Sequence, residues 1–260
     1  MKVMDSSELY DPEFRELIKS KKPTIIIPVG SLEQHGAHLP ITTDSDIVTE
    51  IASRLGKKCD FIVFPTIGYG LSCEHSPLTN INIQSVGNPF MDLRGNHLKH
   101  ILSEIIFSIW EMRGPLRFKK DKGLSIIILN GHHGNVEELK KVMKMGSKHL
   151  WWVERLKDTL SLHSYWHFME HEFDHAGFVE TSIMLAISDK VKMKKAKKGL
   201  ITKGMSEKEI QRIKKLSTEP GGFPQVAKNG VWGDPTNATK KDGEKFLAEI
   251  VRNLAKECQS

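Results

Sequence analysis

Two continuous, mainly apolar runs constrain the fold of this chain more than any other feature of its sequence. They are Thr24–Val29 (TIIIPV) and Ser125–Leu129 (SIIIL). Strands that are apolar on both faces are typical of a parallel sheet that helices cover on both sides. The segments Phe61–Pro65 and Thr159–Trp166 are predicted as two further strands. We therefore expect one α/β domain over residues 1–260, with helices on both faces of a mostly parallel sheet.

Apolar residues recur at helical spacing between and after these strands. The predicted second helix is capped at Ser45 or Asp46 and ends at Gly56, since glycine commonly follows the last helical residue. Asn135 is expected to cap a helix of its own, and Gly221–Pro224 (GGFP) is expected to be a loop. The predicted helices cover residues 5–20, 45–55, 96–112, a segment after 135 that continues, bent near Gly146, towards Leu156, a segment over 180–187 and a terminal segment after 239.

Charge and cysteine content limit the classes of protein to which the chain can belong. The 260 residues carry a formal charge of +6, much of it from stretches such as Lys190–Lys198 in a region, 190–230, that is hard to interpret. We interpret such a run first as a solvated face and only second as a nucleic-acid contact. Cys59, Cys73 and Cys258 lie far apart without a CxxC pair, which indicates neither a disulfide framework nor a cysteine zinc site.

The sequence also bears on where the protein works. Its first residues contain no apolar segment of the kind that directs secretion, and no run reaches the length of a membrane span. The unpaired cysteines fit a reducing compartment. We therefore expect a soluble, cytoplasmic protein without membrane contact.

Side chains that can bind metal ions follow three of the four predicted strands. Because the carboxyl ends of parallel strands lie at one edge of a sheet, these side chains can converge. Imidazole and carboxylate ligands suit zinc, manganese or iron. The carboxylates outnumber what one ion requires, so we predict two divalent metal ions with a bridging carboxylate. The candidates are Glu33, His35 and Asp44 after the first strand, His132 after the third, and His175 and Glu180 after the fourth.

Other polar residues near these strand ends receive different interpretations. His75 lies beside Glu74 in the loop after the second strand and is expected to contact a substrate. His38 is interpreted first as a group that holds a ligand in position and second as one that contacts metal or substrate directly. A lone histidine in such a loop more often caps or hydrogen-bonds, but the clustering of motifs favours metal binding. The chain has no G-x-S-x-G motif, and Gly68–Gly70 lacks the ending of a phosphate loop.

Four motifs occur in order along the chain. They are GSLEQHGAHLPITTD, NGHHGN, DHAGFVETS and GVWGDPTNAT. Together they resemble the creatininase (creatinine amidohydrolase) family over about residues 24 to 250. The resemblance implies a three-layer α/β/α sandwich, a two-metal amidohydrolase site and a homohexamer built from dimers.

The resemblance also implies roles for single residues. Glu33, His35, Asp44 and His132 match the family's metal ligands, and Asp44 matches the bridging ligand. His175 matches the histidine that serves the departing nitrogen. Glu180 matches the glutamate of the family's Glu-Thr-Ser sequence, and we expect it to act as a catalytic group and a metal ligand.

The sequence departs from the family pattern on the substrate side. Gly134 stands where creatininase itself has a further glutamate ligand, and we expect Glu180 or a water to take that position. His133 replaces a substrate-facing tyrosine, and Ser76–Asn80 is shorter and altered. These changes leave the metal chemistry intact and disfavour creatinine itself as substrate. The residues predicted to contact the substrate are Ser72, His75 and His133.

The predicted function is hydrolysis of a cyclic amide or another amide-like C–N bond in a small molecule. Two divalent ions would activate a hydroxide that attacks the carbonyl carbon, and His175 would protonate the departing nitrogen. Two alternatives use the same site: deformylation of a formamidopyrimidine nucleotide and ring opening of a cyclic ketone. The alternative from another class is a basic nucleic-acid-binding protein that has lost catalysis, and the intact ligand set argues against it.

Overall fold

A computed structural model of the chain describes residues 5–19, 23–75, 97–114, 123–144, 160–172 and 174–259. Its strands are β1 (Thr24–Val29), β2 (Ile62–Val63), β3 (Ser125–Asn130) and β4 (Leu160–Ser164). They form one parallel sheet in the order β2-β1-β3-β4. β1 pairs with β3 over its whole length, from Thr24 beside Ser125 to Val29 beside Asn130.

The described residues also contain eight α-helices. The helices are α1 (Asp11–Lys19), α2 (Thr43–Cys59), α3 (His97–Met112), α4 (Val136–Met143), α5 (Phe178–Ile187), α6 (Glu207–Ser217), α7 (Phe223–Val226) and α8 (Lys240–Gln259).

Alternating strand side chains bury two cores, one on each face of the sheet. Ile26 of β1 and Ile127 of β3 pack with α2, α5 and α8. Ile25, Ile27 and Ile128 point the opposite way and pack with α1, α3 and α4. This arrangement, together with the structural relatives given below, confirms the predicted three-layer α/β/α sandwich. That residues 1–260 form one domain stays a prediction.

α5 and α8 approach each other closely at Gly243. A Cβ atom at this position would lie only 1.9 Å from the backbone oxygen of Ser182. The glycine therefore lets the backbone of α8 contact that of α5, which a side chain would prevent. This contact matters for the site because α5 carries Glu180 in its first turn.

The bounds predicted for the second helix are wrong at both ends. α2 begins at Thr43, and the side chain of Thr42 does not cap it. The helix continues through Gly56 and ends at Cys59, and the residue that follows, Asp60, is left-handed with a φ of 59°. A Cβ at Gly56 would lie 2.5 Å from a methyl carbon of Val63, so this glycine permits close packing on β2 instead of ending the helix.

Three smaller expectations also need correction. The side chain of Asn135 does not cap α4. Gly221, at a φ of +69°, makes a turn, but the predicted loop continues as helix α7 from Phe223. The fourth strand ends at Ser164, and residues 165–168 form a 3-10 turn.

Some predictions fall on residues that the structure does not describe. The altered segment Ser76–Asn80 is one of them, and the continuation of the helix beyond residue 144 is another. In the part of the chain that is described, no helix combines the length and the hydropathy that crossing a bilayer requires.

Candidate metal centre

The candidate ligands meet at the carboxyl edge of the sheet. From β1 the chain crosses to β2 on one side, and from β2 it returns to β3 on the other side of β1. Such a reversal opens a crevice between the ends of two neighbouring strands, where α/β proteins commonly bind ligands. The loops after β1, β3 and β4 and the first turns of α2 and α5 bring the predicted ligands into this crevice.

Asn135 fastens the strand-end loops to one another. Its side-chain oxygen accepts a hydrogen bond from the backbone N–H of Leu71 at 2.9 Å. Its side-chain nitrogen donates to the backbone oxygen of Gly30 at 2.9 Å and to Asn130 Oδ1 at 3.3 Å. The residue expected to cap a helix therefore holds the loops after β1, β2 and β3 together.

Asp44 lies between two groups of candidate ligands. Its Oδ1 atom is 3.3 Å from His35 Nε2, and its Oδ2 atom is 3.2 Å from His132 Nδ1. Glu33 Oε1 is 3.4 Å from the same His132 nitrogen, and Glu180 Oε2 is 3.6 Å from His35 Nε2. We call Glu33, Asp44 and His132 the His132 group, and His35, Asp44 and Glu180 the His35 group.

These side chains have the properties that a metal ion requires of its ligands. All five are buried. Both carboxylate oxygens of Glu33, Asp44 Oδ2 and His35 Nε2 lack a hydrogen-bond partner. Buried polar atoms without partners are rare in proteins because leaving them unsatisfied costs free energy. Carboxylate oxygens and imidazole nitrogens that converge in this way fit a divalent cation.

The electrostatics of the centre also favour a cation. In its absence, burial raises the pKa of Glu33 and that of Glu180 to about 8. Burial acts in the same direction on Asp44, but His35 and His132 outweigh it and hold the pKa of Asp44 far below its usual range. A divalent ion would displace the protons from the two glutamates and neutralise the buried negative charge.

His175 lies beside the two groups and contacts Glu33 and Gln34. Its Nδ1 atom is 3.7 Å from Glu33 Oε1. Its Nε2 atom is 3.1 Å from the backbone oxygen of Gln34 and 3.2 Å from the side-chain nitrogen of that residue. The ring stacks on that of His35 at 4.3 Å, and burial holds the pKa of His175 well below the usual value for histidine.

Glu180 is held in position from two directions. The backbone N–H of Ala176 donates to its Oε2 atom at 2.7 Å, and the hydroxyl of Tyr165 donates to its Oε1 atom at 3.4 Å. Nearby, His38 Nε2 is 2.9 Å from the hydroxyl of Thr181, the residue after Glu180. His38 thus contacts the neighbour of a candidate ligand, in keeping with the predicted supporting role.

The predicted substrate-contacting residues have different surroundings. Ser72 is buried, and its hydroxyl is 2.9 Å from that of Ser31. His75 is buried, and its Nε2 atom is 3.3 Å from Glu33 Oε2. His133 is exposed and stacks on Trp166 at a ring distance of 4.4 Å. Their contact with a substrate stays a prediction.

Sequence reasoning assigned no role to Glu74, which the structure brings into the centre. This carboxylate is buried, and its Oε1 atom lies 3.4 Å from His132 Nε2. Glu74 also forms a compact group with Glu33 and His75. Its position could have indicated this role, because Glu74 precedes His75 in the loop after the second strand, and the predicted site is formed by residues at strand ends.

The buried ligand groups at the carboxyl edge of a parallel sheet, together with the family match and the relatives given next, identify a metal-dependent hydrolase. A family model described as creatininase (creatinine amidohydrolase) matches residues 7–258. The chain therefore belongs to the creatininase family, as its motifs indicated.

Individual relatives agree with this membership. A mycofactocin precursor peptide peptidase from Mycolicibacterium smegmatis is 28% identical over 248 residues, which cover 92% of this chain and 85% of the relative. A creatinine amidohydrolase from Pseudomonas putida is 23% identical over 198 residues, 69% of this chain and 70% of the relative. A solved structure titled "Creatininase Mn" has the same fold, with a TM-score of 0.73 at 22% identity over 98% of this chain and 97% of that one.

Proposed function

We propose that this chain hydrolyses an amide-type C–N bond of a small molecule at a centre of two divalent metal ions. The observation that carries the proposal is the geometry of Asp44. Its two oxygens face different imidazoles, His35 and His132, so one carboxylate belongs to two ligand groups. A carboxylate can bind two cations through its two oxygens, which an imidazole cannot do.

Each ligand group would hold one ion. The His132 group offers two carboxylates and one imidazole, and the His35 group offers the same donor types. Zinc, manganese and iron all accept these donors. Such ions, when bound, polarise a carbonyl group and lower the pKa of water, which is the chemistry that amide hydrolysis needs.

His175 would transfer the proton during the reaction. Neutral His175 has one unprotonated ring nitrogen. It is Nδ1, on the side of Glu33, when Nε2–H donates to the backbone oxygen of Gln34, and it is Nε2 when that atom accepts from the side-chain nitrogen of Gln34. The low pKa that burial imposes keeps this ring neutral at physiological pH. His175 can therefore take up a proton from the attacking water and deliver it to the departing nitrogen. Glu180 would be a ligand of the ion that the His35 group holds.

Two observations bear on the substrate. The names of two relatives, a peptide peptidase and an amidohydrolase, both denote cleavage of an amide bond. Gly134 and His133, at the positions where the sequence departs from creatininase, disfavour creatinine. We therefore propose a cyclic amide or another amide-like bond, with Ser72, His75 and His133 in contact with the substrate.

Removal and return of metal tests this proposal. Protein stripped by a chelator is reloaded with zinc, manganese or iron and assayed against cyclic amides, formamides and short peptides. We expect release of an amine from at least one of these substrates only in the reloaded protein. A cyclic ketone is added to the substrate panel to test ring opening. A nucleic-acid shift assay at increasing salt concentrations tests the nucleic-acid-binding alternative. Turnover of the ketone alone, or steeply salt-dependent binding without any turnover, would contradict the proposal.

The proposal extends to assembly on the strength of the family resemblance. We propose a closed homohexamer in the cytoplasm, whose subunits complete one another's pockets. Light scattering at micromolar concentration should give about six times the mass of one chain. A species with the mass of one chain alone would contradict this expectation.

A further inference from the structure

The loop of residues 71–75, which we call the 71–75 loop, fills the space next to Gly134. A Cβ atom at Gly134 would lie 2.0 Å from the backbone oxygen of Leu71, 2.5 Å from His132 Nε2 and 2.6 Å from Glu74 Oε1. No side chain fits there while the loop keeps its place. The glycine therefore lets the loop approach His132 and carries no side chain of its own into the centre.

The 71–75 loop determines which nitrogen of His132 can bind a metal ion. His132 Nε2 is 2.6 Å from the backbone oxygen of Leu71, and a carbonyl oxygen can only accept a hydrogen bond. The ring proton of neutral His132 therefore lies on Nε2. The lone pair of Nδ1 is left facing Glu33 and Asp44, at 3.4 and 3.2 Å. Glu74 Oε1, at 3.4 Å, adds a negative charge on the Nε2 side of the same ring.

The group of Glu33, Glu74 and His75 is not a further metal site of this kind, because His75 has no free lone pair to offer. The backbone N–H of Gly36 donates to Gln34 Oε1 at 3.0 Å, which fixes the orientation of that amide. The amide nitrogen of Gln34 then lies 3.0 Å from His75 Nδ1, so this atom accepts a hydrogen bond. The proton of neutral His75 lies on Nε2, which faces Glu33 Oε2.

We propose that Glu74 is a positioning residue for the metal ion of the His132 group, and that it acts through His132. The proposal rests on the two-metal function proposed above. A carboxylate near the outer nitrogen of a metal-bound histidine fixes its tautomer and raises its basicity, and its loss typically lowers metal affinity about 10–100-fold. The effect should be confined to one ion, because the His35 group lies on the side of the other Asp44 oxygen, away from His132.

The test measures metal binding directly, without an activity assay. Wild-type protein and the Glu74→Gln variant are dialysed against graded concentrations of free zinc, and bound metal is determined by elemental analysis. The substitution keeps the size of the side chain and removes its charge. We expect one of the two ions to bind about 10–100-fold more weakly and the other to bind unchanged. The matched control is Glu137→Gln, an exposed glutamate of α4, which should leave both affinities unchanged.

A second variant approaches the same site from the other side. Gly134→Ala puts a methyl group against Leu71 and Glu74 and should displace the loop, weakening the same ion that Glu74→Gln weakens. If Glu74→Gln does not fold, the metal affinities of Gly134→Ala test the proposal in its place. Glu180→Gln should weaken the other ion, so that its combination with Glu74→Gln weakens both.

The outcomes separate this inference from the proposed function. If wild-type protein binds fewer than two ions, the proposed two-metal function fails. If wild-type protein binds two ions and both variants keep both affinities, only the role of Glu74 fails. Equal weakening of both ions would also overturn the inference, because it would indicate a general structural effect.

Discussion

Asp44→Ala is expected to empty both metal positions and to reduce turnover below detection. Asp44 is the residue with an oxygen in the His132 group and an oxygen in the His35 group. Its loss removes one ligand from each ion at once and leaves His35 and His132 without the carboxylate between them. Loss of a group that only hydrogen-bonds a metal ligand lowers metal affinity about 10–100-fold. Loss of Asp44, a ligand itself, should lower it further.

Two further substitutions sharpen this prediction. Asp44→Asn keeps the size of the side chain but has one oxygen, so it should retain at most one ion. Asp46→Asn is the matched control, because Asp46 lies in the same first turn of α2 while its carboxylate accepts a hydrogen bond from Thr42 at 2.8 Å. Elemental analysis should give two ions for the control. Retention of both ions by Asp44→Ala would show that the two groups do not share this ligand.

The sheet and its site could be predicted because their signals are local. A run such as Ser125–Leu129 is apolar at every inner position, and only a strand covered on both faces buries all of them. The ligands follow these strands directly in sequence, so Glu33, His35 and His132 reach the same edge once the strands are parallel. The pairing of β1 with β3 then makes one crevice from two distant motifs.

The ends of α2 were predicted less well because they depend on tertiary contacts. Gly56 has the residue type of a helix end, but it lies against Val63, and the contact favours a continuous helix. At the other end, the helix starts before Ser45 and includes Asp44 in its first turn. The positive end of the helix dipole there favours the ionised carboxylate, which suits a residue that has to bind cations.

The role of Glu74 could not be predicted because it depends on how one loop folds against another. The sequence shows a glycine at position 134, from which we expected Glu180 or a water to fill the place of the absent glutamate. In the structure Glu180 lies with His35, and the atoms nearest a Cβ at Gly134 belong to Leu71, His132 and Glu74. Glu74 and Gly134 are sixty residues apart in the chain, so no local sequence pattern could indicate this contact.

The region 190–230, for which the sequence indicated no element, proves to support the site. α6 and α7 lie in it, and Phe223 of α7 packs its ring 4.5 Å from that of His75 and 4.6 Å from that of His175. Just after it, Trp232 exchanges backbone hydrogen bonds with His175 at 3.0 and 2.8 Å. These contacts join residues far apart in sequence, which is why local patterns could not reveal them.

His175→Ala is expected to leave both metal ions bound and to slow the chemical step about 10²–10⁴-fold. His175 belongs to neither the His132 group nor the His35 group. Its Nδ1 atom lies 3.7 Å from Glu33 Oε1, and backbone hydrogen bonds to Trp232 hold the loop independently of the side chain. The loss should therefore appear in kcat, measured on whichever amide substrate is found, while metal content stays at two ions.

The control for this variant is His100→Ala, which removes an exposed histidine of α3 and should change neither quantity. The pH dependence distinguishes proton transfer from a structural role. Burial lowers the pKa of His175, so the wild-type ring is neutral and can accept a proton above that pKa. In wild-type protein kcat should fall at low pH as this ring becomes protonated, and the variant should lose that part of the profile. Loss of metal from His175→Ala, together with retention of both ions by Asp44→Ala, would show that the two roles are assigned the wrong way round.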